Sequence, residues 1–277
     1  MNKNEIVQKL INFGLDKIEA KAETEFILEY GLNKTKEELA LISDFEDDKI
    51  LPILEKRIET KKPIQYVLNI APFMGDDFIV NEDVLIPRDE TEILVREAFK
   101  YIKNDFKILD IGVGSGIISC EIGKFSKEKN LSVEVLGVDI SLGALNVAID
   151  NMKKMNLTRT VMFRKSDVFS NIREDEKFDI IVSNPPYIPK KYCENIQQEV
   201  KFEPYNALYT DDEDGLYFYK KIIKEAPKFL NKNGVVLFEM MQGQSGMISK
   251  ILEENGFFEI EIIKDLANID RVIKAKI

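Results

Sequence analysis

The tetrapeptide Asn184-Pro185-Pro186-Tyr187 combines residue types that could do chemistry. It follows the run 178–183, whose apolar and β-branched residues predict a short buried strand. Two consecutive prolines fix two φ angles and supply no backbone N–H, so the strand must end there and the loop must be stiff. A short amide, free carbonyl groups and an aromatic face in fixed relation suit a planar group that carries an NH2. The alternative is a proline-terminated strand with Tyr187 packed on the surface.

Composition limits the chemistry that is available. The chain of 277 residues has no histidine, which excludes Ser–His and Cys–His nucleophilic mechanisms and histidine-containing metal sites. Cys120 and Cys193 are far apart in sequence, so both are predicted to be free thiols. A net charge of −10 argues against a nucleic-acid duplex as the main partner. Without a signal peptide or an apolar run of ~20 residues, the protein is predicted to be cytoplasmic.

A second stretch that could bind a ligand is a strand that runs into a glycine-rich turn. Its residues are Ile108, Leu109, Asp110, Ile111, Gly112, Val113, Gly114, Ser115 and Gly116. Glycines permit positive φ and let a ligand approach the backbone closely. A dinucleotide site would need a third glycine three residues after the second, where Ile117 stands. The G-x-G-x-G spacing preceded by Asp110 instead matches enzymes that use S-adenosylmethionine.

Two further strand ends carry carboxylates. Asp139 follows the next predicted strand and is placed to accept both ribose hydroxyl protons, although it could instead cap the helix that begins near Ser141. After the next predicted strand come Asp167, Val168 and Phe169. The Asp167 carboxylate could accept from an adenine amino group, and the two apolar residues could pack on the adenine ring. A solvent-exposed loop aspartate is the alternative for Asp167. With Asn184, four consecutive strand ends carry groups that can bind a ligand at one sheet edge.

The elements that must position these residues alternate between strand and helix patterns. Strands are predicted at 107–111, 133–139, 161–164, 178–183, 235–240, 258–263 and 271–277, and helices at 116–124, 142–155, 216–230 and 244–255. This alternation predicts an α/β fold with a mostly parallel, doubly wound sheet. The short connection at 264–265 predicts that the last strand is antiparallel.

The first part of the chain has a different pattern. Residues 1–62 read as a small helical bundle, with Thr35 and Glu38 forming a capping box. The segment 63–88 is predicted as a linker in which residues 78–80 and 84–86 pair as a hairpin. Acidic residues from position 89 open the helix that begins a third segment, 89–277.

With these residues in view, the chain resembles the class I S-adenosylmethionine-dependent methyltransferases, and more narrowly the HemK/PrmC family of protein-(glutamine-N5) methyltransferases. The narrower likeness lies in residues 63–68, 73–75, 84–88, 89–92, 202–204, 207–208, 214–216, 264–267 and 270–272. The chain departs from the family pattern at Asp89, where proline is usual, at Asn69, where glycine is common, and at 209–212. None of these departures removes a proposed chemical group.

The resemblance implies a Rossmann-like seven-stranded sheet, S-adenosyl-L-methionine as cofactor and a methyltransferase domain at 89–277. It also implies that the substrate is the glutamine of the Gly-Gly-Gln motif in peptide-chain release factors, with residues 1–62 as a docking domain; the alternative for that bundle is a stabilising cap on the catalytic domain. The predicted catalytic residues are Asn184, Pro185, Pro186 and Tyr187; the predicted cofactor residues are Asp110, Gly112, Val113, Gly114, Ser115, Gly116, Asp139, Asp167, Val168, Phe169 and Asn184. The alternatives are a nucleic-acid methyltransferase acting on adenine N6 or guanine N2, since the same loop grips a flipped base, and an inactive cofactor-binding protein.

Overall fold

A computed structural model describes residues 1–195 and 199–277. The chain forms two compact units, Met1–Ile70 and Ala71–Ile277. The division between them falls inside the segment 63–88 that the sequence predicts as a linker. No helix in the described part of the chain is long and apolar enough to cross a membrane.

The first unit is helical, as the sequence predicts. Its helices are α1 (Lys3–Phe13), α2 (Lys17–Leu32), α3 (Lys36–Ala40), α4 (Asp47–Thr60) and α5 (Ile64–Leu68). The side chains of Asn2, Asp16 and Thr35 cap the first three helices in capping boxes, which satisfy backbone N–H groups that a helix start leaves unpaired. The apolar stripes of α1, α2 and α4 meet in a core that includes Leu10 and Ile27.

The hairpin predicted before the catalytic unit is present but pairs different residues. Strands β1 (Ile70–Phe73) and β2 (Asp76–Ile79) form a two-stranded sheet. The turn between them is Met74-Gly75, and both residues have positive φ. The predicted pairing of 78–80 with 84–86 is therefore wrong. Residues 81–84 do form a turn, closed by the bond from Val84 N to Asn81 O at 3.2 Å, but the chain that follows belongs to no strand.

One seven-stranded sheet lies at the centre of the second unit's described residues. Its strands are β3 (Phe106–Ile111), β4 (Val133–Asp139), β5 (Val161–Lys165), β6 (Phe178–Ser183), β9 (Leu230–Glu239), β10 (Phe258–Lys264) and β11 (Asp270–Lys276). Two-residue strands, β7 (Ile188–Pro189) and β8 (Tyr209–Thr210), pair separately. The order is β10-β11-β9-β6-β3-β4-β5, and β11 runs antiparallel to both of its neighbours. The predicted fold class, with its antiparallel last strand, is confirmed.

Helices cover both faces of this sheet, because its strands are apolar on both sides. They are α6 (Thr91–Phe99), α7 (Ile117–Glu128), α8 (Leu142–Lys154), α9 (Tyr205–Leu208), α10 (Tyr217–Glu225) and α11 (Ser245–Glu254). One core joins the sheet to α10 and α11 and another joins it to α6 and α7. Strand order changes direction between β3 and β6, and the carboxyl edge at such a point is where open α/β sheets bind ligands.

Candidate active site

A cavity lies at the carboxyl edge of the sheet, next to the loops that follow β3, β4, β5 and β6. Ten of the predicted site residues line it: Gly112, Val113, Gly114, Ser115, Asp139, Asp167, Val168, Asn184, Pro185 and Pro186. Four others, Asp110, Gly116, Phe169 and Tyr187, lie outside this lining. The fold therefore brings most of the predicted residues together from four different loops.

The glycines of the turn after β3 serve different purposes. A Cβ added at Gly114 would meet no other protein atom within 4 Å, so packing does not require a glycine there. Its φ is +52°, and its N–H donates to Asp139 Oδ2 at 3.0 Å. By contrast, a Cβ at Gly116 would come within 3.0 Å of Ala148 Cβ. Gly116 thus allows α7 and α8 to pack closely, whereas Gly114 gives the cavity an open backbone wall.

Asp139 is held by backbone N–H groups on both sides of its carboxylate. Oδ1 accepts from Ser141 N at 2.9 Å, and Oδ2 accepts from Gly114 N at 3.0 Å. Each oxygen keeps a second lone pair, so the carboxylate can still accept from two hydroxyl groups. The helix-capping alternative does not describe this residue, because α8 is capped by Ser141, which accepts from Ala144 N.

Asp110 lies behind the glycine-rich turn and is fully buried. Its Oδ2 accepts from Ser119 N at 3.1 Å and from Ser119 Oγ at 2.7 Å. Its Oδ1 has no hydrogen-bond partner among the described residues. Burial raises the pKa of Asp110 to about 7, and the nearby charge of Asp139 raises it further, while the bonds from Ser119 oppose both effects. An unpaired buried carboxylate oxygen beneath the turn favours a positively charged group nearby.

The loop after β5 holds a strained residue. Val168 has a φ of +54°, which is rare for a β-branched side chain, and it is buried against the cavity. Ser166 Oγ stabilises this conformation by donating to Val168 O at 2.7 Å. Asp167 is exposed and both of its oxygens accept from Lys221 Nζ at 2.7 Å. Phe169 points into the core, where it stacks on Phe229 with ring centroids 4.6 Å apart.

The loop after β6 places the Asn184 side chain at the cavity with one end of its amide fixed. Asn184 Nδ2 donates to Thr91 Oγ1 at 3.2 Å. Ser183, one residue earlier, ties β6 to β3 through its Oγ, which donates to Ile111 O at 2.7 Å. Since the NH2 end is engaged, the carbonyl end of the Asn184 amide is free to accept a hydrogen bond in the cavity.

Behind this loop lies a buried carboxylate that the sequence patterns did not single out. Glu239, the last residue of β9, is 2% exposed. Its Oε1 accepts a long hydrogen bond of 3.4 Å from the Tyr187 hydroxyl. Burial raises the pKa of Glu239 to about 7, although hydrogen bonds from the Thr91 and Tyr187 hydroxyls favour its charged form. Glu239 could have been predicted as a site residue from the sequence, because it is an acidic residue at the carboxyl end of a buried strand.

Tyr187 itself is partly buried and packs on the core below the sheet edge. Burial is also the main cause that raises the pKa of its hydroxyl above the usual value. The backbone carbonyl of Tyr187 accepts from Gln244 Nε2 at 3.3 Å. A Cβ on Gly215 would come within 2.1 Å of that carbonyl oxygen, and Gly215 has a φ of +71°. The Asp214–Leu216 region therefore supports the loop from outside.

A wall of the cavity comes from two segments outside the predicted catalytic and cofactor residues, although the family resemblance implies that Arg88 lies near the site. Val84, Leu85, Pro87 and Arg88 form one side, and Pro204, Asn206 and Ala207 form the other. Glu203 joins the two segments, since Oε1 accepts from Arg88 Nη2 at 2.5 Å and Oε2 accepts from Ile86 N at 3.2 Å. Burial raises the pKa of Glu203, and its pairing with Arg88 opposes that shift.

The residues present fit S-adenosylmethionine, whose sulfonium and ammonium groups are cationic. Asp83 and Asp139 line the cavity, and the unpaired oxygen of Asp110 lies beneath its floor. An open glycine backbone and apolar residues such as Val113 and Val168 complete a cavity for a nucleoside. The described residues contain no group of three or more histidine, cysteine, aspartate or glutamate side chains that could hold a metal ion.

Known structures share the fold. A methyltransferase from Pyrococcus furiosus aligns over 83% of this chain and 98% of its own, with a TM-score of 0.54 at 17% identity. The hMettl16 catalytic domain aligns over 84% of this chain and 83% of its own, with a TM-score of 0.56 at 14% identity. At such low identity these likenesses show the fold alone.

Sequence comparison is more specific. Residues 89–211 match the family model of the methyltransferase small domain. The release factor glutamine methyltransferase of Fusobacterium nucleatum is 41% identical over 92% of this chain and 72% of that protein. The enzyme of the same description from Borreliella burgdorferi is 35% identical over 99% of this chain and 93% of that protein. The chain therefore belongs to the release factor glutamine methyltransferase family.

Proposed function

We propose that this protein transfers a methyl group from S-adenosylmethionine to the side-chain amide nitrogen of the glutamine in the Gly-Gly-Gln motif of peptide-chain release factors. Family membership supports the reaction class and the substrate. The observation that carries the proposal is the Asn184 amide, which the stiff loop after β6 holds at the cavity with its NH2 end already bonded to Thr91. The Asn184 side-chain oxygen is left to accept a hydrogen bond from a substrate amide N–H.

The cofactor site uses the glycine-rich turn and the loops that follow β4 and β5. The two free lone pairs of Asp139 accept from the ribose hydroxyl groups, and Gly112 and Gly114 leave room for the ligand along the backbone. Val168 would pack on the adenine ring, and the Asp167 carboxylate would accept from its amino group. Asp167 must share its carboxylate between Lys221 and the adenine amino group. When bound, the cofactor supplies a methyl group that its sulfonium already activates.

The chain's contribution to the reaction is orientation. An amide nitrogen is a weak nucleophile because its lone pair is delocalised into the carbonyl group. The side-chain oxygen of Asn184 and the backbone carbonyl of Pro185 accept the two amide N–H protons, which turns the nitrogen toward the methyl group at about 3–3.5 Å. As the N–C bond would form and the S–C bond of the sulfonium would break, positive charge would develop on these N–H groups, and the two acceptors would stabilise it. One of the two N–H protons would then leave the methylated amide for solvent, which gives a neutral product. Tyr187, which lies outside the cavity lining, supports the loop by packing on the core.

The N-terminal unit is assigned to docking of the release factor. Ile18 is 81% exposed and Leu41 is 88% exposed, so both are accessible positions of this unit at which docking can be tested. Replacing either residue with glutamate is expected to raise KM for the whole release factor while leaving KM for a short Gly-Gly-Gln peptide unchanged. Equal effects on both substrates would contradict docking by this unit.

The proposal is tested by incubating the protein with labelled cofactor and either a release factor or nucleic acid. Label is expected in the release factor, and a factor whose glutamine is replaced by alanine should receive none. Label in adenine or guanine instead would favour the nucleic-acid methyltransferase alternative, and label in neither would refute the proposed reaction.

A further inference from the structure

Thr91 and Glu239 connect the catalytic loop to the interior. Thr91, the first residue of α6, is 1% exposed and accepts from Asn184 Nδ2. The Thr91 hydroxyl lies close enough to the Glu239 carboxylate to favour its charged form. Glu239 Oε2 is buried and has no hydrogen-bond partner of ordinary geometry among the described residues, so this oxygen is available to accept the proton of the Thr91 hydroxyl. Residues from α6, the end of β6 and the end of β9 thus meet at Asn184. The orientation of the Asn184 amide decides whether its oxygen or its NH2 group faces the cavity.

The direction of hydrogen-bond donation between Glu239, Thr91 and Asn184 decides which end of the Asn184 amide faces the cavity. An ionised carboxylate only accepts hydrogen bonds, so the Thr91 hydroxyl must donate to Glu239. The lone pairs of Thr91 Oγ1 then accept from the NH2 end of Asn184, and its carbonyl end is left for the cavity. A protonated Glu239 can donate to Thr91 instead, and the Thr91 proton then becomes available to the Asn184 carbonyl. The flipped amide would present N–H groups to the N–H groups of the substrate.

We propose that Thr91 and Glu239 are positioning residues for methyl transfer, and that the ionised Glu239 carboxylate holds the Asn184 amide, through the Thr91 hydroxyl, with its oxygen toward the substrate. This inference rests on the proposed function of the loop and goes beyond it. Thr91 lines the cavity beside Asn184 and Glu239 lies behind it, and both act through the Asn184 amide. Their effect therefore appears in kcat and in its pH dependence rather than in affinity for the cofactor.

The titration of Glu239 links this orientation to pH near neutrality. The groups that face its carboxylate are Thr91 and Glu90 at the start of α6, Tyr187 after β6, Arg271 on β11 and Tyr219 on α10. Burial and Glu90 favour the neutral form, while Arg271 and the hydroxyls of Thr91 and Tyr187 favour the charged form. Because ionisation gives the productive orientation, kcat should rise with pH through the titration of Glu239, whose pKa is about 7.

The first experiment measures kcat and KM for a release factor between pH 6 and pH 8.5. Thr91→Val removes only the hydroxyl and should lower kcat about tenfold, the worth of one hydrogen bond, with KM and the Kd for S-adenosylhomocysteine little changed. Thr91→Ser should restore activity. Glu239→Gln should lower kcat and remove its rise with pH.

Matched controls are Ser126→Ala, which removes a buried hydroxyl bonded to Ile122 O, and Glu121→Gln, which replaces another buried carboxyl group. Both controls should keep the wild-type kcat and its pH dependence.

A second measurement does not depend on turnover. The side-chain amide resonances of Asn184, identified by their loss in Asn184→Asp, should shift with pH with a midpoint near 7, and Glu239→Gln should abolish the shift while Glu121→Gln should not. A Thr91→Val enzyme with normal kcat, or an Asn184 amide that titrates unchanged in Glu239→Gln, would overturn the inference. If the wild-type enzyme methylated no release factor, the proposed function would fail, and the resonance titration would still decide the orientation.

Discussion

Replacing Asn184 with alanine removes the acceptor oxygen on which the proposed mechanism depends. The fold should tolerate the change, because the loop is fixed by other groups. Pro185 and Pro186 restrict its backbone, Ser183 Oγ bonds to Ile111 O at 2.7 Å, and Gln244 holds the Tyr187 carbonyl. The Thr91 hydroxyl loses one donor, which costs stability of about 1 kcal/mol.

The loss of activity should be much larger than the loss of stability. Removing one preorganised group that faces developing charge lowers kcat by roughly 10² to 10³, equivalent to about 2.7–4 kcal/mol of transition-state stabilisation. Asn184 also lines the cofactor cavity, but the proposed ribose and adenine contacts are made by Asp139, Asp167 and Val168 rather than by its amide. The Kd for S-adenosylhomocysteine should therefore stay within about threefold of the wild-type value, a change below 1 kcal/mol.

Single-turnover methyl transfer followed by mass spectrometry gives the rate, and calorimetry gives the Kd. Asn184→Asp is the matched variant, since it keeps an acceptor oxygen and replaces the NH2 group that bonds to Thr91 with a second oxygen, which adds a negative charge. It should retain more activity than Asn184→Ala. Near-normal turnover in Asn184→Ala, or an equal loss in both variants, would refute the assignment of the side-chain oxygen as the substrate acceptor.

Three other substitutions test the surroundings of the site. Asp139→Ala should raise the Kd for S-adenosylhomocysteine about 100-fold, near 3 kcal/mol for lost charge-assisted hydrogen bonds; an unchanged Kd by calorimetry would exclude its ribose role. Gly215→Ala places a Cβ 2.1 Å from the Tyr187 carbonyl oxygen at a φ of +71°, so kcat and Tm should both fall, whereas unchanged values would show that the loop does not need this support. Asp110 has its pKa raised from 3.8 to about 7, so the folded protein binds a proton that the unfolded chain has already lost, and stability should fall as pH rises through that range. Asp110→Asn keeps an acceptor for Ser119 and should remove this fall, with a gain on the order of 4 kcal/mol above pH 7 by urea unfolding; parallel pH profiles for both proteins would contradict a buried ionised Asp110.

Much of the fold could be predicted from local patterns. The strand at Val133–Asp139 has the bounds that its pattern of apolar residues predicts, and β10 and β11 pair antiparallel as their short connection requires.

The hairpin was misassigned because the residues around Asn81 carry the stronger turn signal, whereas the real turn uses Met74 in a left-handed conformation. Non-glycine residues seldom adopt positive φ, so sequence alone gives little indication of such a turn.

The departure from the family pattern at Asn69 has a physical explanation. Asn69 ends α5 in the left-handed conformation with a φ of +56°, which glycine adopts freely and asparagine tolerates better than most residues. Asparagine can therefore replace the glycine that is common there without changing the helix end.

The residues that support the site could not be read from spacing. Glycine-rich turns and proline-terminated loops are local signals, so Gly114 and Asn184 were found where the cavity lies. Thr91, Glu239 and Glu203 act through contacts that only the packed fold creates, as the bond from Asn184 to a residue 93 positions away illustrates. Thr91 and Glu203 lie in stretches that resemble the family, but neither their residue types nor their spacing assigns them or Glu239 a role.

The central claim is tested most directly by mass spectrometry of a release factor after incubation with the wild-type protein and S-adenosylmethionine. A mass increase of one methyl group, located by fragmentation on the glutamine of the Gly-Gly-Gln motif, is the predicted result. An unmodified glutamine, or a methyl group on another residue, would contradict the proposed reaction.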